Sequence, residues 1–184
     1  NIFIRHESLR RMIWEKVEEW HWNRPENAMQ RAIDHYGFET MPEQALDDMT
    51  RNEIKSVLLH EIGEVMAGEE LGDDWEALLA ALPHSKAEIM LRAVRDNLAD
   101  TLSTLPGLLD ELHPASMHFY IANLTNMRKS LFPSLLNAYE EWDSTGNPGK
   151  LNGIISRGRE HWLSLARRII ELCRHRGERC QQEI

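Results

Sequence analysis

The sequence predicts an all-α fold, a bundle of antiparallel helices. Apolar residues recur at spacings of three and four along almost the whole chain, and alternation in twos is absent. Two capping-box sequences, "TRNE" (50–53) and "SKAE" (85–88), mark helix starts. No segment has the composition and periodicity of a strand. The expected architecture is a single α-helical domain over residues 1–184 with about six main helices, long enough to bury a core.

Taken in order, the first helix is expected from about Ile4 to Trp22, with Leu9, Met12, Ile13, Val17 and Trp20 on one face. Pro25 suits the first turn of the second helix and Gly37 its stop. Residues 38–49 read as a loop, with one turn of helix at most after Pro42. The third helix starts at the Thr50 box and ends at Gly72, with Leu58, Ile62 and Val65 centring its apolar stripe. A short helix follows over 75–82. Ser85 caps a long helix carrying Leu91, Val94, Leu98, Leu102 and Leu105, which Pro106-Gly107 should kink or break. Ser116 is read as the cap of the next helix, bent at Pro133. The stretch "DSTGNPG" is a loop, and a last helix carries Trp162, Leu165, Ala166, Ile169 and Cys173.

Net charge is −9, which argues against broad nucleic-acid binding. No apolar run reaches the ~18 residues that a membrane span needs. The two cysteines, Cys173 and Cys180, make no CxxC and no disulfide framework, which favours a reducing, cytoplasmic setting with unpaired thiols. Charge is unevenly distributed. Residues 39–76 hold twelve acids against Arg51 and Lys55, and residues 151–184 hold seven arginines against four acids. The acidic block could attract cations, and the basic tail an anionic partner or the acidic block of a second subunit.

Chemistry concentrates in "LLHEIGEVMAGEELGDDWE" (58–76), a histidine and seven carboxylates in what reads as a helix. Glu61 and Glu64 are three apart, and His60 and Glu64 four apart, so each pair shares a helix face. Glu61 falls at the margin of the apolar stripe and Glu64 beyond it. Carboxylates at such a margin can join a neighbouring helix in holding a hard cation, Mg2+ or Mn2+. The neighbour would carry Asp96 and Asp100, four apart. Their face lies nearly opposite Leu91, Leu98 and Leu105, so they reach a site only if that helix is covered on both sides, by another helix or by a second subunit. Ile89 shares their face, and a homodimer follows naturally. Against this stands the bland reading of a solvated or ion-paired acidic face.

"LLHEIGEVMAG" followed by "DNLADTLSTL" resembles the all-α nucleoside triphosphate pyrophosphatases of the MazG and dimeric dUTPase type. Those enzymes carry E-x-x-E on one helix and E-x-x-D on the next, holding Mg2+ on a triphosphate that water cleaves. The resemblance implies Glu61 and Glu64 as the first pair and Asp100 as the final acid. Asn97 stands where the third acid belongs, with Asp96 adjacent as its substitute, and the spacing between the helices is longer than in the simplest members. The resemblance covers about fifty residues. The stretch is also similar, more distantly, to HD-type phosphohydrolases, with His60-Glu61 in place of His-Asp and His21 or His35 as the upstream histidine.

The leading expectation is a divalent-metal-dependent phosphohydrolase acting on a small phosphorylated substrate. Its ligands would come from His60, Glu61, Glu64, Asp96 and Asp100. Glu61 and Asp96 would serve catalysis, with Asp96 a fourth ligand or the base that orients water. Phosphate would be met by Arg92, Arg95, Arg128 and Lys129, although each taken singly reads as a surface cation with a helical partner. A zinc protease HExxH fails, because Glu64 occupies the second histidine position. A di-iron or di-manganese carboxylate bundle would draw on Glu18, His21, Glu61, Glu64, Asp110 and His113. The alternative from another class is a non-catalytic helical interaction protein, in which Glu61 and Glu64 pair with arginines and the charged blocks are docking surfaces. Tyr120, Trp75 and Trp162 could stack a base, but tryptophans at helical spacing are mostly core.

Overall fold

A computed structural model describes residues 3–110, 114–176 and 180. Among these residues the fold is all-α, with no strand. The elements are α1 (His6–Asn23), α2 (Ala28–Asp34), α3 (Pro42–Leu71), α4 (Asp73–Ala81), α5 (Lys86–Ala99), a π turn (Asp100–Thr104), α6 (Leu105–Asp110), α7 (Pro114–Asn123), α8 (Asn126–Leu131), α9 (Pro133–Thr145) and α10 (Gly149–Arg176). They fall into two compact units. The first comprises Asn1–Glu61 with Gly107–Leu124, the second Ile62–Pro106 with Thr125–Ile184.

In the first unit Leu9, Ile13 and Val17 of α1 bury the stripe the periodicity predicts. They pack with Ala32 and Ile33 of α2, Leu46 and Met49 of α3, and Phe119 of α7. The start of α2 is set by Asn27, whose Oδ1 accepts from the backbone N–H groups of Met29 (2.9 Å) and Gln30 (3.2 Å). Gly37 follows α2 at φ +71°, where a side chain would be strained.

Several boundaries differ from expectation. Pro25 lies before α2, which starts at Ala28, and the single helix expected from Ser116 past a bend at Pro133 is three, α7, α8 and α9. The loop expected over 38–49 is mostly helix: α3 opens at Pro42, a residue suited to a first helical turn. Ala45, Leu46 and Met49 are buried and continue the helix into Thr50. Thr50 therefore caps nothing, and its hydroxyl donates back to the Leu46 carbonyl at 2.6 Å. Ser116 likewise lies inside α7, which begins at Pro114. Pro106 does not break its helix either. The preceding backbone widens into the π turn, where the Leu105 N–H bonds the Asp100 carbonyl, and the chain continues helically to Asp110.

In the second unit α5 is covered by both α8 and α10, and α10 also packs on α4, α9 and the π turn. Leu91, Leu98, Leu135, Tyr139, Leu151 and Trp162 are fully buried. Trp75 is core as well. Ser85 caps α5 as its sequence predicts, accepting from the Glu88 N–H at 3.3 Å. Glu88 does not complete the box. Its carboxylate bonds Arg92 (2.7 Å) and His84 (3.3 Å) instead. Two glycines set close helix approaches. A Cβ at Gly63 would lie 2.3 Å from the Ala99 carbonyl oxygen, and one at Gly158 would lie 2.7 Å from the Phe132 ring.

The basic tail meets acidic residues of its own chain: Arg167 pairs with Glu70 at 3.2 Å, and Arg174 with Asp74. Cys173 and Cys180 are joined in a disulfide. The expectation of two unpaired thiols is corrected, and the argument from them to a reducing compartment falls with it. Among the described residues no helix is long and apolar enough to cross a membrane.

Candidate functional site

The apolar stripe on α3 points the other way from expectation. Leu58, Ile62 and Val65 are 39%, 38% and 55% exposed. From Thr50 onward the buried positions on the same helix are Thr50, Glu53, Gly63, Ala67 and Leu71. Small residues explain the choice of face in the second unit. Only Gly63 allows the α5 backbone at Ala99 to come so near. This close approach brings Glu64 to α5, where its Oε1 accepts from Arg95 Nη2 at 2.8 Å.

From that contact a polar network runs through the second unit. Arg95 Nη2 also lies 3.4 Å from Asp96 Oδ1. Asp100, fully buried at the head of the π turn, pairs with Arg128 of α8. The Asp100 carboxylate also accepts from the Thr104 hydroxyl at 2.8 Å. Arg128 Nε donates to Asn97 Oδ1 at 3.2 Å. Burial pushes the Arg128 guanidinium below its ordinary range, and the charge of Asp96 opposes that shift. Two buried donors of this network, Asn97 Nδ2 and Arg95 Nε, have no hydrogen-bond partner. Such orphans are uncommon in a folded interior and mark places where a further acceptor would be stabilised.

Five of the residues singled out in the sequence thus come together: Glu64, Arg95, Asp96, Asp100 and Arg128. The double coverage that Asp96 and Asp100 require is supplied within the chain by α8 and α10. His60 and Glu61 are half-buried and belong to the first unit. Arg92 bonds Glu88 on its own helix, and Lys129 is half-buried on α8 beside Arg128 in sequence. Of the di-iron set, His21 Nδ1 lies 3.7 Å from Glu18 Oε1 on α1, Asp110 is exposed, and His113 lies outside the described residues. Of the upstream histidines, His35 is exposed and its ring stacks on buried His118 at 5.7 Å.

Sequence reasoning missed Thr104 and a second buried network, in the first unit. Glu53 is 1% exposed and accepts hydroxyl bonds from Ser116 (2.7 Å) and Ser56 (2.8 Å). Asn52 Nδ2 donates to the Tyr36 phenol at 3.2 Å, and burial pushes that phenol up to about 12. Both Glu53 and Ser116 were absorbed into capping motifs, the ordinary use of their residue types. A separate cavity of about 530 Å3 in the second unit is lined chiefly by apolar side chains, among them Leu91, Val94, Leu165 and Ile169, with Arg168 and His175 on its wall. Its walls suit an apolar ligand better than a phosphate.

The donors of the second-unit network are hard oxygens, the chemistry that Mg2+ or Mn2+ selects. As arranged, however, arginines hold them. Among the described residues no three His, Cys, Asp or Glu side chains are grouped as a cation's ligands. The fold and this network define a class: an all-α protein with a buried arginine–carboxylate centre built across a π turn. The chain belongs to the family of unknown function DUF6866, whose C-terminal domain it matches over residues 10–184. No curated protein matches the chain, and no solved structure matches it.

Proposed function

We propose that the second-unit network is the site of a divalent-cation-dependent hydrolase acting on a small phosphorylated substrate. One observation carries the reading. Three carboxylates and two arginines, Glu64, Asp96, Asp100, Arg95 and Arg128, gather in two ion-paired clusters that the charge of Asp96 on Arg128 connects.

An arginine–carboxylate pair imitates the two halves of a cation–phosphate complex. The carboxylates are the groups a Mg2+ or Mn2+ ion would take, and the arginines are the groups a phosphate would take. Each half releases the partner the other needs, so cation and phosphate should bind together more tightly than either alone. Asn97 Nδ2 and Arg95 Nε supply donors not yet used. The cation, when bound, would polarise a phosphoryl oxygen. Asp96, about a quarter exposed and so the most open carboxylate on α5, would take the proton of an attacking water. The π turn fits this role, since such bulges recur at functional sites.

The test is a Mn2+ titration followed by electron paramagnetic resonance, with and without a phosphate analogue, and a screen of phosphoesters and phosphoanhydrides. Wild type should bind Mn2+ and hydrolyse a member of the screen. Asp96→Asn and Glu64→Gln should lose turnover by about 100-fold or more while keeping the helical signal. Absence of Mn2+ binding under all conditions would sink the reading.

A second reading is favoured by the pairing itself. Glu64 with Arg95 and Asp100 with Arg128 are what a non-catalytic helical interaction protein would show, its acids spent on internal ion pairs. There the same substitutions would weaken folding or a complex and leave no turnover to lose.

A further inference from the structure

The cavity between α5, α8 and α10 takes no part in the arginine–carboxylate network, and its described lining lies wholly in the second unit. Leu91, Val94 and Ile169 form a buried floor, with half-buried Met90 and Leu172 among the apolar residues around it. A volume of about 530 Å3 is that of a small-molecule site, far larger than a packing defect. The polar lining residues all come from α10: Arg168, Glu171 and His175, each exposed. On a helix these three fall within a strip about 60° wide, and the apolar lining residues of α10 fall within another about 90° round from it. The cavity therefore has an apolar interior and one polar edge.

The charge on that edge is not spent within the chain. Arg167 is paired with Glu70 and Arg174 with Asp74, but among the described residues Arg168 has no ion pair. Glu171, one helical turn on, does not bond it. A further cation stands at one end. Gly158 of α10 lies against Thr101, beyond the end of α5, while the cavity joins Met90 and Val94 to residues 165–175, so the two helices run antiparallel. The start of α5 thus lies toward the His175 end, and exposed Lys86 shares the helix face of Met90. Two permanent positive charges and a histidine stand against one carboxylate. An amine head would face the two cations, and a doubly charged phosphate head would bring more negative charge toward Glu171. A carboxylate suits Arg168 in charge and in geometry. We propose that the cavity binds a medium-chain monocarboxylate, its alkyl chain over Leu91, Val94 and Ile169 and its head on Arg168. The proposal does not depend on hydrolysis at the arginine–carboxylate network.

Equilibrium dialysis of the full chain against labelled hexanoate, octanoate and decanoate below their micelle concentrations tests this, with octanol and octylamine as competitors. Circular dichroism checks that each variant keeps its helices. Wild type should bind decanoate saturably, and affinity should rise about three- to fourfold for each added methylene. Octylamine should compete more weakly than octanoate. Arg168→Glu alters an exposed residue, so it should fold; it should weaken decanoate about tenfold and leave octanol unchanged. Leu172→Glu sets a charge in the apolar wall and should weaken both. No saturable binding of decanoate up to about 1 mM overturns the proposal and leaves the cavity to the apolar side chains of a partner protein. Decanoate affinity unchanged in Arg168→Glu, or octylamine competing as well as octanoate, overturns the carboxylate head. Decanoate affinity unchanged in Leu172→Glu overturns the location.

Discussion

Arg128 and Asp100 form an ion pair in which the carboxylate is wholly buried and the guanidinium nearly so. A pair so removed from water is costly to break and inexpensive to replace. Removing one partner strands a charge, whereas removing both leaves an apolar gap that can be filled. Arg128→Met should therefore destabilise by roughly 3–5 kcal/mol in urea unfolding. The double substitution Arg128→Met with Asp100→Leu should recover most of that loss. A single-variant cost below ~1 kcal/mol would mean that water reaches the pair, as it does for surface bridges.

Gly63 and Gly68 sit on the same helix and should respond oppositely to alanine. At Gly63 the new methyl would collide with the Ala99 carbonyl and carbon, backbone atoms that cannot swing aside. Overpacking of this kind costs ~1–3 kcal/mol, and here it also pushes α5 away from Glu64. At Gly68 nothing lies within 4 Å. Alanine there should stabilise by ~0.5–1 kcal/mol through helix propensity. Thermal unfolding of the two variants beside wild type decides the matter. Equal melting temperatures would mean the helices are not in the contact described.

The contrast between these glycines also shows how far the sequence could be read. Helical class, the α1 stripe and the Ser85 cap follow from local rules, because periodicity and capping act within one turn of the residue concerned. The burial of α3 does not. Its most apolar face, Leu58, Ile62 and Val65, is the exposed one, and the buried face is chosen by how closely α5 can approach Gly63. Such closeness is a property of two helices together, and hydrophobicity along one of them is silent about it. The meeting of Glu64, Asp96 and Asp100 was legible as helical spacing. Arg95 and Arg128 were legible as cations of the site, but the pairing of Arg128 with Asp100 was not, since Arg128 arrives from 28 residues beyond Asp100. Thr50, Glu53 and Ser116 failed for a related reason. A polar residue at a helix-start position reads as a cap, and only packing reveals that it is inside.

Ser116 donates to a carboxylate that is almost wholly buried, so its loss should be felt beyond one hydrogen bond. Removing the hydroxyl leaves a lone pair of Glu53 without that donor at a 1% exposed site. Ser116→Ala should cost ~1–3 kcal/mol. In the Glu53→Gln background the same change should cost less, because an amide oxygen is less demanding of donors than a carboxylate. A double-mutant cycle in urea reads the coupling directly. A coupling near zero would place water, rather than Ser116, at that oxygen.

Tyr36 gives the first unit an alkaline limit. Burial of the phenol is the main cause of its rise to about 12, and the neighbouring Glu53 charge adds to it, while bonds from Asn52 and Ser116 pull the other way. In the unfolded chain a tyrosine ionises near 10. Below that pH both states hold the proton, and the group adds no pH dependence. Between about 10 and 12 the unfolded chain has released the proton and the folded chain has not, so stability falls as pH rises across this window. The phenol remains partly exposed, so the loss should be modest, on the order of 1–2 kcal/mol after screening. Tyr36→Phe has no proton to release and should decline less steeply over the same window. Other alkaline titrations are shared by the two proteins and cancel in the comparison. The measurement is the urea midpoint of each protein at pH 9 and at pH 11.5, with tyrosinate absorbance followed in parallel. Wild type should lose the larger share of its stability, and the variant should lack the latest-ionising component of the absorbance. Identical slopes for the two proteins would show that the phenol is solvated in the folded state and that another group sets the alkaline limit.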